Sequence, residues 1–188
     1  MPKSKIENRK AKISRAAWAR VQLFAMDVDG VLTDGTVIIS SDHTEAKVFS
    51  ILDGHGLRKL ARAGIVTAWI SGRKSGATTR RATELQIPHL VQGQIDKLTA
   101  LQELATRLGI TADACAYMGD DDIDASAMAW AGIGIAPPGA MPAALAAANC
   151  ITTRAAGRGA VREVCESILA AQLALTAGSK PPRMGSQR

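Results

Sequence analysis

Aromatic side chains are scarce in this 188-residue chain: one tyrosine, two phenylalanines and three tryptophans make up 3% of it. Binding unpaired bases relies on aromatic stacking platforms, so the composition excludes that class of nucleic-acid binder. Long hydrophobic runs are missing too, and none approaches the ~20 residues that span a bilayer. Cysteine is rare: Cys115, Cys150 and Cys165 form no Cys-x-x-Cys pair, which fits free, buried thiols in a reducing compartment. Residues 1–20 lack the apolar segment of a secretory signal, so the expected location is the cytoplasm. No membrane and no nucleic-acid partner is expected.

Acidic charge is short overall, with a formal net charge of +6, but the imbalance sits at the ends. Residues 1–20 carry seven basic side chains against Glu7, and residues 180–188 add Lys180, Arg183 and Arg188. The body, 21–179, holds 13 basic and 16 acidic residues. A nucleic-acid-binding fold would line a folded face with positive charge instead. The expected organisation is a solvated basic arm over 1–20, a single domain over 21–178 and a flexible tail over 179–188.

Apolar runs at 21–26, 65–70 and 114–118 read as buried strands, with shorter strands at 88–91, 133–136 and 150–152. Helices are expected over 57–63, 74–85, 97–108, 125–131, 142–148 and 159–175. This alternation predicts an α/β fold: a Rossmann-like parallel sheet with helices on both faces and no cap domain. Residues 36–39 and 47–51 are expected to pair as a small hairpin after the first strand, with 40–46 as the turn. Asp53-Gly54-His55-Gly56 is expected to break the chain.

Polar clusters sit where predicted strands end, or just after: Asp27 and Asp29; Ser71-Gly72-Arg73; Asp96-Lys97; and Asp120-Asp121. In an open parallel sheet, ligands gather beyond the strands' carboxyl ends. Carboxylates, a hydroxyl and an ammonium around one point suit phosphoryl transfer with a hard cation, Mg²⁺, held by Asp27, Asp29 and Asp120. In this scheme Asp27 attacks phosphorus and becomes an aspartyl phosphate. Asp29 protonates the leaving alcohol and later deprotonates the attacking water. Ser71 and Lys97 hold the phosphoryl oxygens. A receiver-like phospho-aspartate signalling module uses the same groups but has no need of Asp29 as an acid. Asp34 is read as an Asx-turn, and Asp121, Asp122 and Asp124 as an acidic helix start. His43, His55 and His89 are read as structural, since no pair has metal-ligand spacing.

These ordered motifs, from Asp27-Val28-Asp29-Gly30-Val31-Leu32-Thr33-Asp34-Gly35 through Ser71-Gly72-Arg73 and Lys97 to Gly119-Asp120-Asp121, resemble those of the haloacid dehalogenase superfamily of phosphatases. Phe49-x-x-x-Asp53-Gly54-x-Gly56-x-Arg58 and Gly157-Arg158-Gly159-Ala160-Val161-Arg162-Glu163 are similar to its capless branch, the octulosonate 8-phosphate phosphatases. The resemblance implies a Mg²⁺-dependent homotetramer acting on a sugar acid phosphate in lipopolysaccharide precursor synthesis. The favoured substrate is 3-deoxy-D-manno-octulosonate 8-phosphate, with a related nonulosonate 9-phosphate as the alternative. It also implies substrate contacts at Ser50, Ile51, Leu52, Asp53, Gly54, Arg58, Gly72, Arg73 and Arg81, besides Asp29 and Lys97.

Overall fold

The computed structural model describes residues 13–178; residues 1–12 of the expected arm and the expected tail, 179–188, lie outside the described residues. The chain runs α1 (Arg15–Arg20), β1 (Leu23–Met26), β2 (Ile38–Ile39), β3 (Glu45–Ala46), α2 (Ile51–Arg62), β4 (Val66–Ser71), α3 (Gly76–Leu85), β5 (His89–Gln92) and α4 (Lys97–Leu108). It continues with β6 (Cys115–Met118), α5 (Ala125–Trp130), β7 (Ile133–Ala136), α6 (Pro142–Ala147), β8 (Cys150–Ile151) and α7 (Ala160–Gly178). Six strands form one parallel sheet in the order β5-β4-β1-β6-β7-β8, and β2 pairs antiparallel with β3 outside it.

Strand β1 shows why both faces are covered. Its side chains alternate with period two, and all four are buried. Phe24 and Met26 pack with Leu57 and Leu60 of α2 and Val161, Val164 and Ile168 of α7. Leu23 and Ala25 pack on the opposite side with Leu101 and Leu104 of α4, Met128 of α5 and Ala144 of α6. A parallel sheet clad on both faces makes its central strands apolar throughout, which is how they read in the sequence.

Three expectations shift. First, the expected arm becomes ordered before residue 20: Ser14 caps α1 by accepting from the amide of Ala17, and Ala17 and Trp18 pack against the core. Second, the hairpin closes earlier than expected. His43 takes a left-handed backbone (φ 65°), and Ser40 N bonds Thr44 O at 3.0 Å. The returning strand is therefore Glu45–Ala46 rather than 47–51. Third, α2 runs unbroken through Gly54 and Gly56. Ser50 caps it, accepting from the amides of Leu52 and Asp53 at 3.2 and 3.4 Å. Both glycines serve close packing: a β-carbon at Gly54 would lie 2.6 Å from an Arg81 guanidinium nitrogen, and one at Gly56 2.8 Å from Arg162 Cδ.

Asp53 also has a structural part. It is buried, and its carboxylate accepts from the amides of Gly159 (3.2 Å) and Arg162 (2.8 Å), fastening the start of α7 to α2. Burial raises its pKa, against the pull of those two amides. In this chain Asp53 anchors a helix, besides being an expected substrate contact. Asp53→Ala leaves two amides without their acceptor and is expected to lower unfolding free energy by about 1–3 kcal/mol, read from urea denaturation. An unchanged midpoint with a raised KM would instead leave Asp53 with the substrate role only.

Candidate active site

The amide of Asp27 donates to Met118 O at 3.0 Å, so the β1–β6 ladder carries one residue past β1 and fixes where the chain leaves the sheet. Gly30 then turns with φ 84°, and Leu32 and Thr33 donate back to Val28 O. The Thr33 hydroxyl, buried, accepts from the amides of Gly30 and Gly35. Glycine is required at position 30 twice over. Its backbone is left-handed, and a β-carbon would lie 2.0 Å from Asp120 Oδ2. From the far end of the chain, the amide of Gly157 closes the loop on Val31 O at 3.0 Å. Asp34 accepts from the amide and hydroxyl of Thr36, which is the expected Asx-turn.

Asp27, Asp120 and Asp124 each offer a carboxylate oxygen, and these lie within 4.8 Å of one another. Lys97, its side chain wholly buried, answers them. Its Nζ lies 2.9 Å from Asp27 Oδ1 and 3.5 Å from Asp124 Oδ1, and donates to Ile70 O at 2.6 Å. One ammonium against three acids leaves an excess of negative charge. Burial, with Asp124 adding to it, pushes the pKa of Asp27 up to about 6 despite Lys97. Burial, followed by Asp124 and Asp27, pushes that of Asp120 up to about 7. Asp120 Oδ1 is buried and has no hydrogen-bond partner. An orphaned carboxylate oxygen in an all-oxygen donor set fits a hard divalent cation.

Asp124 is the residue that the sequence reading missed. Read as part of an acidic helix start, it does close the helical turn Asp122–Asp124 ahead of α5, and it is also fully buried. It accepts from the Tyr117 hydroxyl at 2.9 Å and from the amides of Asp120 and Asp121 at 3.1 and 3.2 Å. It shapes the loop that presents Asp120. The available signal was an acid four residues beyond Asp120, after a strand whose tyrosine needs a buried partner. Ser71, also buried, follows the carbonyl that holds Lys97 and accepts from the Arg73 amide at 3.2 Å.

Asp29 stands outside the carboxylate trio. Its carboxylate meets Lys47, whose Nζ lies 2.7 Å from Oδ1 and donates to Oδ2 at 2.8 Å. Arg73 Nε is 4.0 Å away on the other side, and the Arg73 fork is occupied by Glu45 at 2.8 Å. Among the other expected contacts, Gly72 lies near Ile123, while Ile51 and Leu52 are exposed at the start of α2. Arg58 donates to Gln86 at 2.6 Å, and Arg81 donates to Ser50 O at 3.4 Å and pairs with Glu84 at 2.8 Å. Asp27, Ser71, Lys97 and Asp120 are thus drawn together, with Asp29 and Arg73 beside them. Ser50–Gly54, Arg58 and Arg81 form a second group along the α2–α3 seam.

Comparison with known proteins agrees with this geometry. A family model described as haloacid dehalogenase-like hydrolase matches residues 79–164. The 3-deoxy-D-manno-octulosonate 8-phosphate phosphatase KdsC of Yersinia pestis is 44% identical over 160 residues, covering 85% of this chain and 84% of that protein. The chain belongs to this phosphatase family of the haloacid dehalogenase superfamily. It is a phosphoric monoester hydrolase, so the receiver-like alternative falls away. Among solved structures, the Moraxella catarrhalis enzyme, in complex with magnesium ion, phosphate ion and KDO molecule, superposes with a TM-score of 0.83. It is 49% identical, covering 87% of this chain and 94% of that one. The cobalt-bound Haemophilus influenzae phosphatase gives a TM-score of 0.81 at 34% identity, over 87% and 96% of the two chains.

The raised acids of this phosphatase tie its stability to pH. Between pH 4 and about 7 the folded state holds more protons on Asp27 and Asp120 than the unfolded chain does, so stability falls as pH rises through that window. His89, whose pKa burial lowers, works in the opposite direction. In chelator-treated protein, Asp120→Asn removes one source of the decline. Its Tm advantage over the parent is expected to widen from pH 5 to pH 8; an advantage constant with pH would show that Asp120 does not titrate there.

Proposed function

We infer that this phosphatase hydrolyses 3-deoxy-D-manno-octulosonate 8-phosphate to the free sugar acid and phosphate, in lipopolysaccharide precursor synthesis, through an aspartyl phosphate on Asp27. The observation that carries the reading is the pairing of Asp27 with buried Lys97 inside a carboxylate trio that holds an unpartnered oxygen. It is supported by the 49% identical neighbour in complex with magnesium, phosphate and KDO.

Oδ1 of Asp27 takes the bonds from Lys97 and from the Val28 amide (2.6 Å), which leaves Oδ2 as the attacking oxygen. The new bond forms between Oδ2 and phosphorus, and the bond from phosphorus to the sugar oxygen breaks. Asp29 gives its proton to that oxygen. Asp29 then takes a proton from water as the water's oxygen bonds to phosphorus, releasing phosphate and restoring the Asp27 carboxylate. Lys97 and the Ser71 hydroxyl hold the phosphoryl oxygens throughout. Mg²⁺, held by Asp27 and Asp120 with Asp124 behind them, supplies the positive charge that lets a carboxylate approach a phosphate dianion.

The same reading includes a homotetramer in the cytoplasm. Ile38, Ile39 and Val48 of the hairpin region and Ile51 and Leu52 of α2 are all about half or more exposed, an apolar surface suited to contact between copies. No helix among the described residues is long and apolar enough to cross a membrane.

A phosphate-release assay with the octulosonate 8-phosphate and a nonulosonate 9-phosphate tests the assignment; faster turnover of the 9-phosphate would reassign the substrate. Asp27→Asn is expected to lower kcat by at least about 10³-fold without a fall in Tm, because only the nucleophile is lost. Substantial turnover by that variant would rule out the covalent route. Stripping divalent ions with a chelator is expected to abolish turnover, and Mg²⁺ to restore it. Activity that survives chelation would dismiss the metal.

A further inference from the structure

Lys47 is the least expected residue of the site. It sits on the chain leaving the hairpin, yet its side chain has no solvent exposure. An ammonium is expensive to bury unless each of its protons finds an acceptor. Here the acceptors are Asp29 Oδ2 at 2.8 Å and the Thr78 hydroxyl of α3 at 3.3 Å, with Asp29 Oδ1 at 2.7 Å and Glu45 at 4.0 Å as ionic partners; Oδ1 itself accepts no hydrogen bond.

The segment around it explains how a hairpin residue reaches so far in. Residues 47–50 form no regular element, but burial alternates along them: Lys47 and Phe49 are turned inward and Val48 outward. Phe49 stacks on Trp69 with ring centroids 6.2 Å apart and planes 10° from parallel, while Val48 between them is 62% exposed. Glu45 faces inward as well, accepting from Arg73 at 2.8 Å and from the Ser75 hydroxyl at 2.5 Å. Glu45, Arg73, Asp29 and Lys47 form a ring of alternating charge, two of them from the hairpin and two from the rim of the sheet.

We propose that Lys47 is a positioning residue for proton transfer: its hydrogen bond to Oδ2 of Asp29 fixes the rotation of that carboxylate and leaves Oδ1, which accepts no hydrogen bond, to be aimed at the departing sugar oxygen. The inference rests on reading Asp29 as the acid and base. A carboxylate on a single rotatable stem, without such a grip, would swing toward Arg73 or the cation site. Because the ammonium comes from the hairpin, the aim of the acid depends on that hairpin lying against the sheet.

The distinguishing property is dependence on the leaving group. Expulsion of a sugar alkoxide needs a proton, whereas 4-nitrophenolate leaves without one. The test is a single-turnover measurement with Mg²⁺-loaded enzyme in excess, following octulosonate release from its 8-phosphate and nitrophenol release from 4-nitrophenyl phosphate. For Lys47→Met, octulosonate release is expected to slow by about 10²-fold and nitrophenol release to stay within about threefold of the parent. Lys47→Arg, which keeps a cationic donor, is expected to recover part of the loss. Should Lys47→Met fail to fold, Thr78→Val loosens the same ammonium from behind and is expected to show the same selectivity at about fivefold.

Equal slowing with both substrates, a loss confined to substrate affinity, or no loss at all would overturn the proposal. Asp29→Asn is the internal control. If it slows both substrates equally, or if the parent enzyme releases no octulosonate, the reading of Asp29 or of the substrate is wrong, and the role of Lys47 falls with it.

Discussion

Everything at the rim depends on one imbalance: three converging carboxylates, two of them buried, answered by the buried ammonium of Lys97. Lys97 reaches Asp27 from the start of α4, which its neighbour Asp96 caps by accepting from the Thr99 amide. The lysine is held by Ile70 O at the end of β4 as well as by Asp27. The interaction therefore ties β1, β4 and α4 at the point where ligands gather in such a sheet. It also leaves the site short of positive charge. Burial first, and then the neighbouring carboxylates, raise the pKa values of Asp27 and Asp120, and the deficit is an electrostatic reason for a divalent cation to sit there.

Much of this was legible in the sequence, because the candidate site residues are the ones that end strands. Asp27 and Ser71 follow an apolar run directly and Asp120 follows one after Gly119, and a parallel sheet aligns such ends without further information. The hydrophobic pattern also carried the order of the elements. Hidden from the sequence were residues whose meaning arises when the chain folds back on itself. Asp124 looks like a helix start and nothing more until Tyr117 and the amides of Asp120 and Asp121 converge on it. Lys47 looks like the charged end of a strand until the hairpin lies down. Gly54 and Gly56 look like breakers because a glycine admits both a turn and close helix packing. Arg81 and Arg162 decide for packing here.

The two groups of expected substrate residues illustrate a limit of a different kind. Asp29 and Arg73 stand beside the nucleophile in this chain, whereas Ser50–Gly54, Arg58 and Arg81 belong to the α2–α3 seam. The seam is built around its own needs: Ser50 caps a helix, Asp53 starts another, and Arg58 holds Gln86. Arg81 lies one turn of α3 beyond Thr78, the hydroxyl that supports Lys47. The seam and the rim are thus parts of one helix face. Ile51 and Leu52 at the head of α2 leave apolar side chains exposed beside the seam.

The order of the strands carries a mechanical corollary. Asp27 leaves β1 and Asp120 follows β6, and these neighbouring strands occupy the middle of the sheet, with β5 and β8 as its borders. Fraying begins at borders, where backbone bonds are satisfied on one side only. Partial thermal loosening should strip the periphery while the chemistry persists, and inactivation should coincide with collapse of the interior rather than precede it.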